Sequence, residues 1–291
     1  MNRMKKIALG TAQFGLNYGI NNYRGKIPKD EIFEILHMAN ENGIIILDTA
    51  SAYGNSESII GDFLERTGII FSIVSKLPKC KLEDARSIFD NTLKSLRCKS
   101  LYGYMIHDFS SYNEERSIWD FLCSLKNEQR IEKVGFSLYF PWQLQLLIEH
   151  GVMMDIVQVP YNVFDRRFED YFGLLKEMGV EIHVRSVFLQ GLFFKEIGKL
   201  EKHFDIIKDK LKTLQRVADD SGLPIVALCM NFVADNKNVD KIVVGVDSVK
   251  NLKEIIEFSC GHFLSRNHLQ KLLELKEANE DILLPFRWQL N

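Results

Sequence analysis

The stretch ENGIIILDTASAYGNSESIIGDFLERTG, residues 41–68, decides how the rest of the chain is read. Four apolar residues, Ile44 to Leu47, run straight into Asp48. A short polar loop with Tyr53 and Gly54 follows, and then SESIIGDFLERTG spaces its apolar residues as one face of a helix. A strand with no polar alternation is buried on both faces, as in a parallel sheet covered by helices. Upstream, KDEIFEILHMANENG (29–43) repeats the helical spacing and ends at Gly43, as the later helix ends at Gly68, each placed as a residue just past a helix C-terminus.

The same unit recurs along the chain. Strand-like runs stand at 5–10, 44–48, 71–76, 101–107, 133–137, 155–160, 181–186 and 241–245. Helical patterns separate them: LEDARSIFDNTLKSL, EERSIWDFLCSLKNE, PWQLQLLIEHG, FEDYFGLLKEMG and NLKEIIEF. Strand–helix alternation implies parallel strands joined by right-handed crossovers. Eight such strands suggest an α/β fold of the (β/α)₈ (TIM) barrel type, with a doubly wound open sheet as the alternative. The length of 291 residues is ordinary for one barrel, which takes roughly 250. The stretch 192–224 has no strand and reads as an insertion between strands seven and eight plus a helix. No low-complexity tract or Pro/Gly/Ser linker divides the chain, so a single domain over 1–291 is expected.

Composition narrows the function. With 46% hydrophobic and 26% charged residues the chain fills a core, and a net charge of −2 offers no basic excess for nucleic acid or an anionic membrane. Five cysteines, Cys80, Cys98, Cys123, Cys229 and Cys260, are odd in number and widely spaced, which fits a reducing compartment. The start MNRMKKIALG lacks a long apolar segment and no run spans a bilayer, so a cytoplasmic protein is expected. Gly10, Gly15 and Gly19 are wrongly spaced for a Rossmann fingerprint, and Gly19, Gly25, Lys26 and Ile27 fail the phosphate-loop pattern. No zinc-protease or serine-hydrolase motif occurs, and the seven histidines are scattered, so no metal site is expected.

In a parallel barrel the active site forms at the C-terminal ends of the strands. Strand two ends in Asp48 with Tyr53 just beyond, strand three in Lys76, and strand four in His107. Each has a plain structural role open to it: a turn cap, a surface aromatic, an ion-pair partner, a histidine bonded to backbone. Together they suit carbonyl reduction, which needs a hydride at carbon and a proton at oxygen. A tyrosine with an ordinary pKa near 10 can give that proton, and an ammonium beside it lowers the pKa. Asp48 would pair with Lys76, and His107 would hydrogen-bond the carbonyl oxygen.

These residues and their flanks resemble the aldo-keto reductase superfamily. The set comprises LGTA (9–12), D-T-A-x-x-Y-G-x-S-E (48–57), the Lys of VSK (74–76) and the His of IHD (106–108), followed in order by GFS (135–137), QVPYN (158–162), RSVFLQG (185–191) and VVGVDSVKNLKEI (243–255). The resemblance implies a (β/α)₈ barrel with an extended nicotinamide cofactor across its mouth, usually NADPH, acting on a small-molecule carbonyl as a monomer or homo-oligomer. Asp48, Tyr53, Lys76 and His107 match its catalytic tetrad. Ser137 and Gln158 match positions holding the nicotinamide carboxamide, and Thr11 and Asp48 positions near its ribose. Ser186, Phe188, Gln190 and Gly191 fall in the pyrophosphate loop, and Gly245, Ser248, Asn251 and Glu254 in the adenosine-phosphate segment.

Three departures stand out. Leu138 replaces a carboxamide-binding Asn, and Arg185 replaces the aromatic that stacks on the nicotinamide, either stacking in its place or forming a buried ion pair. Asn251 replaces the Arg that grips the 2′-phosphate and Gly245 a frequent basic residue, with Lys250 or Lys253 as substitutes, so NADH is an alternative to NADPH. The tail LPFRWQLN is short, which suggests an open pocket lined by Phe14, Tyr18, Trp142, Phe164 and Trp288. The LGTAQFG-x-x-YGI opening is similar to reductases found with bacterial sugar and glycan enzymes, which points to a sugar-like carbonyl. Two other functions compete: a cofactor-binding regulatory module with little turnover, and a barrel isomerase or aldolase using Lys76 as a Schiff base.

Overall fold

Eight parallel strands close on themselves in sequence order: β1 (Ile7–Gly10), β2 (Ile46–Asp48), β3 (Ser72–Leu77), β4 (Leu101–Ile106), β5 (Ile131–Ser137), β6 (Ile156–Pro160), β7 (Glu181–Arg185) and β8 (Lys241–Gly245). The seam is made by β1 pairing with β8, with Gly10 opposite Gly245. The computed structural model describes residues 3–259 and 264–288. The closed barrel confirms the (β/α)₈ expectation over the doubly wound sheet, and each strand lies within two residues of its expected position.

The helices fill the intervals. They are α1 (Ala12–Gly15), α2 (Lys29–Glu41), α3 (Ser56–Thr67), α4 (Leu82–Leu96), α5 (Phe109–Glu114), α6 (Ser117–Asn127), α7 (Pro141–Glu149), α8 (Phe172–Glu177), α9 (Lys208–Ser221), α10 (Ile225–Asp235), α11 (Val249–Ser259), α12 (Arg266–Leu273) and α13 (Glu280–Leu283). Gly68 ends α3 with φ of 68°, a left-handed conformation that only glycine takes freely, and its N–H bonds Leu64 O. The stretch 192–224 carries short 3₁₀ turns, α9 and the start of the chain into α10, with no strand.

Two apolar layers result. One lies between strands and helices, with Leu9, Leu47, Phe63, Phe89, Phe136 and Phe172 among its members. The other lies inside the barrel: Ala8, Ile46, Val74, Met105, Ile156 and Val243. Strand side chains alternate, so the residue two positions beyond each inward apolar one also points inward. Beyond Ile46, Val74 and Ile156 stand Asp48, Lys76 and Gln158, and the apolar plug is thus the floor on which a polar mouth is built.

The opposite end of the barrel is polar too. Glu181 accepts hydrogen bonds from Tyr102 Oη at 2.8 Å and pairs with His183 Nε2 at 2.7 Å and with Lys133. Burial works against the Glu181 carboxylate, but these partners hold its pKa well below the usual range. Cys80, Cys98, Cys123 and Cys229 are free thiols, and Cys260 lies outside the described residues. Among the described residues no single helix is long and apolar enough to cross a membrane.

Candidate active site

Four elements converge at the mouth. Asp48 is the last residue of β2, Lys76 lies one residue from the end of β3, His107 follows β4, and Tyr53 sits in the loop from β2 to α3. Lys76 is wholly buried, and its ammonium donates to Asp48 Oδ1 at 2.6 Å and to the Thr49 carbonyl at 2.9 Å. The other carboxylate oxygen, Oδ2, accepts from Gln158 Nε2 at 2.7 Å. Asp48 is thus held on both oxygens, from two different strands.

Tyr53 lies against this pair. Lys76 Nζ is 5.2 Å from the centre of its ring, and the His107 ring stands edge-on to it at 5.8 Å. The loop carrying Tyr53 is fixed from behind. Ser56 Oγ donates to Thr11 Oγ1 at 2.9 Å, and Thr11 Oγ1 to the Asp48 carbonyl at 3.0 Å. The short α1 presses on the same loop through glycine. A Cβ on Gly15 would lie 1.7 Å from the Tyr53 carbonyl oxygen, and one on Gly54 would lie 2.6 Å from the Gly15 carbonyl oxygen. Gly54 also has φ of +58°. The backbones therefore meet where side chains are excluded.

The electrostatics sort these groups into roles. Burial lowers the His107 pKa to about 4, with the Lys76 and Arg185 cations adding to the effect, so His107 is neutral at pH 7. Burial opposes the Lys76 ammonium, but the Asp48 carboxylate and the Tyr53 phenol raise its pKa above the ordinary value. Tyr53 departs from the sequence expectation of a lowered pKa. Lys76 does pull it down, and Arg185 with it, but burial outweighs both and the phenol stays above its ordinary value.

A cavity of about 1560 Å³ runs outward from this mouth. Thr11, Asp48, Tyr53, Gln158, Arg185, Ser186, Phe188, Gln190, Gly191, Gly245, Asn251 and Glu254 line it, so one concavity gathers most of the expected site residues. Beside Tyr53, Lys76 is sealed from solvent and His107 is half-buried, and neither is among the residues lining this cavity. Ser137 is buried at the end of β5, opposite Gln158 in register. Ser248 is not on the wall; its Oγ donates to Asp247 Oδ1 at 2.9 Å and accepts the Asn251 N–H at 3.2 Å, which is a helix cap. Leu138 is core, with its carbonyl accepting from Arg185 Nη2 at 3.1 Å.

Arg185 takes a third partner, an aromatic of its own chain. Its guanidinium stacks 4.1 Å from the Tyr139 ring centre, lines the cavity, and forms no ion pair among the described residues. Of the aromatics expected in the pocket, only Tyr18 lines it. Phe14 and Phe164 are fully buried core, Trp142 packs edge-on to Phe109 at 5.4 Å, and Trp288 packs on Phe204 at 5.0 Å. Apolar periodicity does not distinguish a core aromatic from a pocket one. Gln13 and Asp247 were missed as lining residues, although both lie inside motif blocks that the sequence displays.

The wall suits a dinucleotide. Gln158 spends its amide N–H on Asp48 and keeps its oxygen as an acceptor, the atom a nicotinamide carboxamide needs. In the segment that supplies this wall, Ser186 and Gln190 on the wall and Leu189 beneath it hold left-handed φ values of 61°, 53° and 46°, strain of the kind that collects at ligand clamps. The sequence profile of the Aldo/keto reductase family matches residues 6–275. The chain belongs to the aldo/keto reductase family. It is therefore an NAD(P)H-dependent oxidoreductase acting on small carbonyl compounds.

Its relatives are distant. It is 22% identical to the uncharacterized oxidoreductase YqkF of Bacillus subtilis, over 92% of this chain and 95% of that one. Aldo-keto reductase AKR11C1 of Bacillus halodurans, in its holo form, superposes with a TM-score of 0.75 at 20% identity, covering 97% of this chain and 95% of the other. An aldo/keto reductase of Klebsiella pneumoniae, solved with NADP and acetate, gives 0.69 at 19% identity, over 93% and 90% of the two chains.

Proposed function

We propose that this chain, a single barrel domain over residues 1–291 working in the cytoplasm, reduces an aldehyde or ketone to an alcohol with Tyr53 as the proton donor. The observation that carries this reading is the packing of the Tyr53 ring against both the Lys76 ammonium and the neutral His107 at the inner end of the cavity. A bound dihydronicotinamide would supply the hydride to the carbonyl carbon. Tyr53 gives its hydroxyl proton to the carbonyl oxygen, and the bond order of the C=O falls to one as the alcohol forms. The raised phenol pKa keeps that proton in place at neutral pH. The phenolate left behind sits beside the Lys76 ammonium, which Asp48 holds in position. Neutral His107 donates a hydrogen bond to the same oxygen and orients the substrate.

The wall would hold the cofactor through Gln158, Ser186, Gln190 and Gly191, with the nicotinamide at the Tyr53 end. A sugar-like carbonyl is supported by the LGTAQFG-x-x-YGI opening. A Schiff base on Lys76 is disfavoured, because its pKa is raised and an ammonium is no nucleophile. The test is purified protein with a reduced nicotinamide cofactor and a panel of activated aldehydes and aldoses, followed by the loss of dihydronicotinamide absorbance. Turnover supports the proposal. Tight cofactor binding with no turnover on any carbonyl would replace it with the regulatory module, and borohydride trapping of substrate on Lys76 with the Schiff-base enzyme.

A further inference from the structure

The cavity has a second end, away from Tyr53, where Gly245, Asp247, Asn251 and Glu254 form the wall. We infer that this end selects NADH over NADPH, and that the Asp247 carboxylate is the residue that does so. The inference rests on the proposed function, because hydride chemistry at Tyr53 puts the nicotinamide there and sends the adenosine to the far end.

The charges at that end favour a diol over a phosphate. Lys250 is almost fully exposed, with its ammonium 3.9 Å from Glu254, and Lys253 is exposed; neither lines the cavity. Position 245 is glycine and supplies no cation, and the Gln13 amide lies over it, 2.6 Å from where a Cβ would stand. One guanidinium reaches the segment, that of Arg24, which donates to the Asp247 carbonyl at 3.1 Å. It is already held by both oxygens of Glu31, at 3.0 and 2.6 Å. The N-terminus of α11 is similarly engaged: the Val249 N–H donates to Glu31 Oε1 at 3.3 Å and the Asn251 N–H to Ser248 Oγ at 3.2 Å. The two lysines elsewhere on the wall, Lys195 and Lys199, pair with Glu201 and Glu196.

A ribose hydroxyl donates to a carboxylate in a charge-assisted bond. A 2′-phosphate carries a charge of about −1.5 to −2 and meets Asp247 and Glu254 on a stretch of wall to which no described Lys or Arg contributes. The difference in affinity should be at least about tenfold.

The experiment is calorimetric titration of the native protein with NADH and with NADPH, at low and high ionic strength, repeated on Asp247→Asn. NADH should bind at least tenfold tighter. Salt should narrow the gap by screening the repulsion, and Asp247→Asn should narrow it mainly by strengthening NADPH binding. The salt arm needs no variant, so it stands if Asp247→Asn fails to fold. Equal or tighter binding of NADPH overturns the inference and leaves the proposed function intact. A gap unmoved by both salt and substitution overturns the assignment to Asp247. Binding of neither cofactor overturns the proposed function itself, and the inference with it.

Discussion

The Lys76 ammonium lies 2.6 Å from the Asp48 carboxylate, with both side chains withdrawn from solvent. A buried pair of this kind is worth little as a source of net stability, but removing one partner strands the other charge. Lys76→Met should therefore destabilise the protein by about 3–5 kcal/mol. The double variant Asp48→Asn/Lys76→Met should regain much of that loss while activity stays low, because the phenolate of Tyr53 has lost its cation. Urea unfolding and turnover, measured on the same preparations, separate the two effects. A double variant as active as the native protein would remove Lys76 from the mechanism.

His107 sets an acid limit. Its folded pKa of about 4 lies below the ordinary 6.5, so between these values the unfolded chain binds more protons than the folded one. Its contribution to stability is full above about pH 6.5 and is lost as pH falls toward 4. Native protein should thus lose melting temperature over this window faster than His107→Gln does. The reduction rate should stay independent of His107 ionisation down to about pH 5 and fall below it, whereas an inflection near 6.5 would mean that His107 is exposed and unperturbed.

Gly15 positions Tyr53 by lacking a side chain. The Gly15→Ala methyl would sit 1.7 Å from the Tyr53 carbonyl oxygen, and backbone has to move. Overpacking of this sort costs about 1–3 kcal/mol. The turnover number should fall as well, because Tyr53 is displaced from Lys76. Gly173→Ala is the control, since nothing lies within 4 Å of the added methyl and the position is inside α8. That variant should be neutral or slightly stabilising, with unchanged turnover. Thermal melts and steady-state kinetics on the two variants decide the matter.

Much of this was visible in the sequence. Continuous apolar strands with polar C-terminal residues, as in IIILD (44–48), announce both a parallel sheet and the end of it that carries chemistry. What escaped depends on contacts between distant segments. Phe14 and Phe164 look like pocket aromatics but are sealed in the core. Glu181 and His183 stand in a strand-like run, and nothing in its spacing shows that Glu181 gathers His183, Tyr102 and Lys133 at that end of the barrel. The Tyr53 pKa was misjudged because proximity of Lys76 is legible in motif spacing, while the depth of burial that outweighs it is not. Gly15 and Gly54 touch across a gap in sequence that no periodicity reports.

The central claim is that the Tyr53 hydroxyl delivers the proton. Comparing native protein with Tyr53→Phe tests it most directly, with the reduced cofactor and an activated aldehyde in one assay and cofactor binding by calorimetry in another. Turnover should fall by about 10²–10⁴ while the cofactor dissociation constant changes little. A Tyr53→Phe protein that reduces the aldehyde at the native rate would contradict the account.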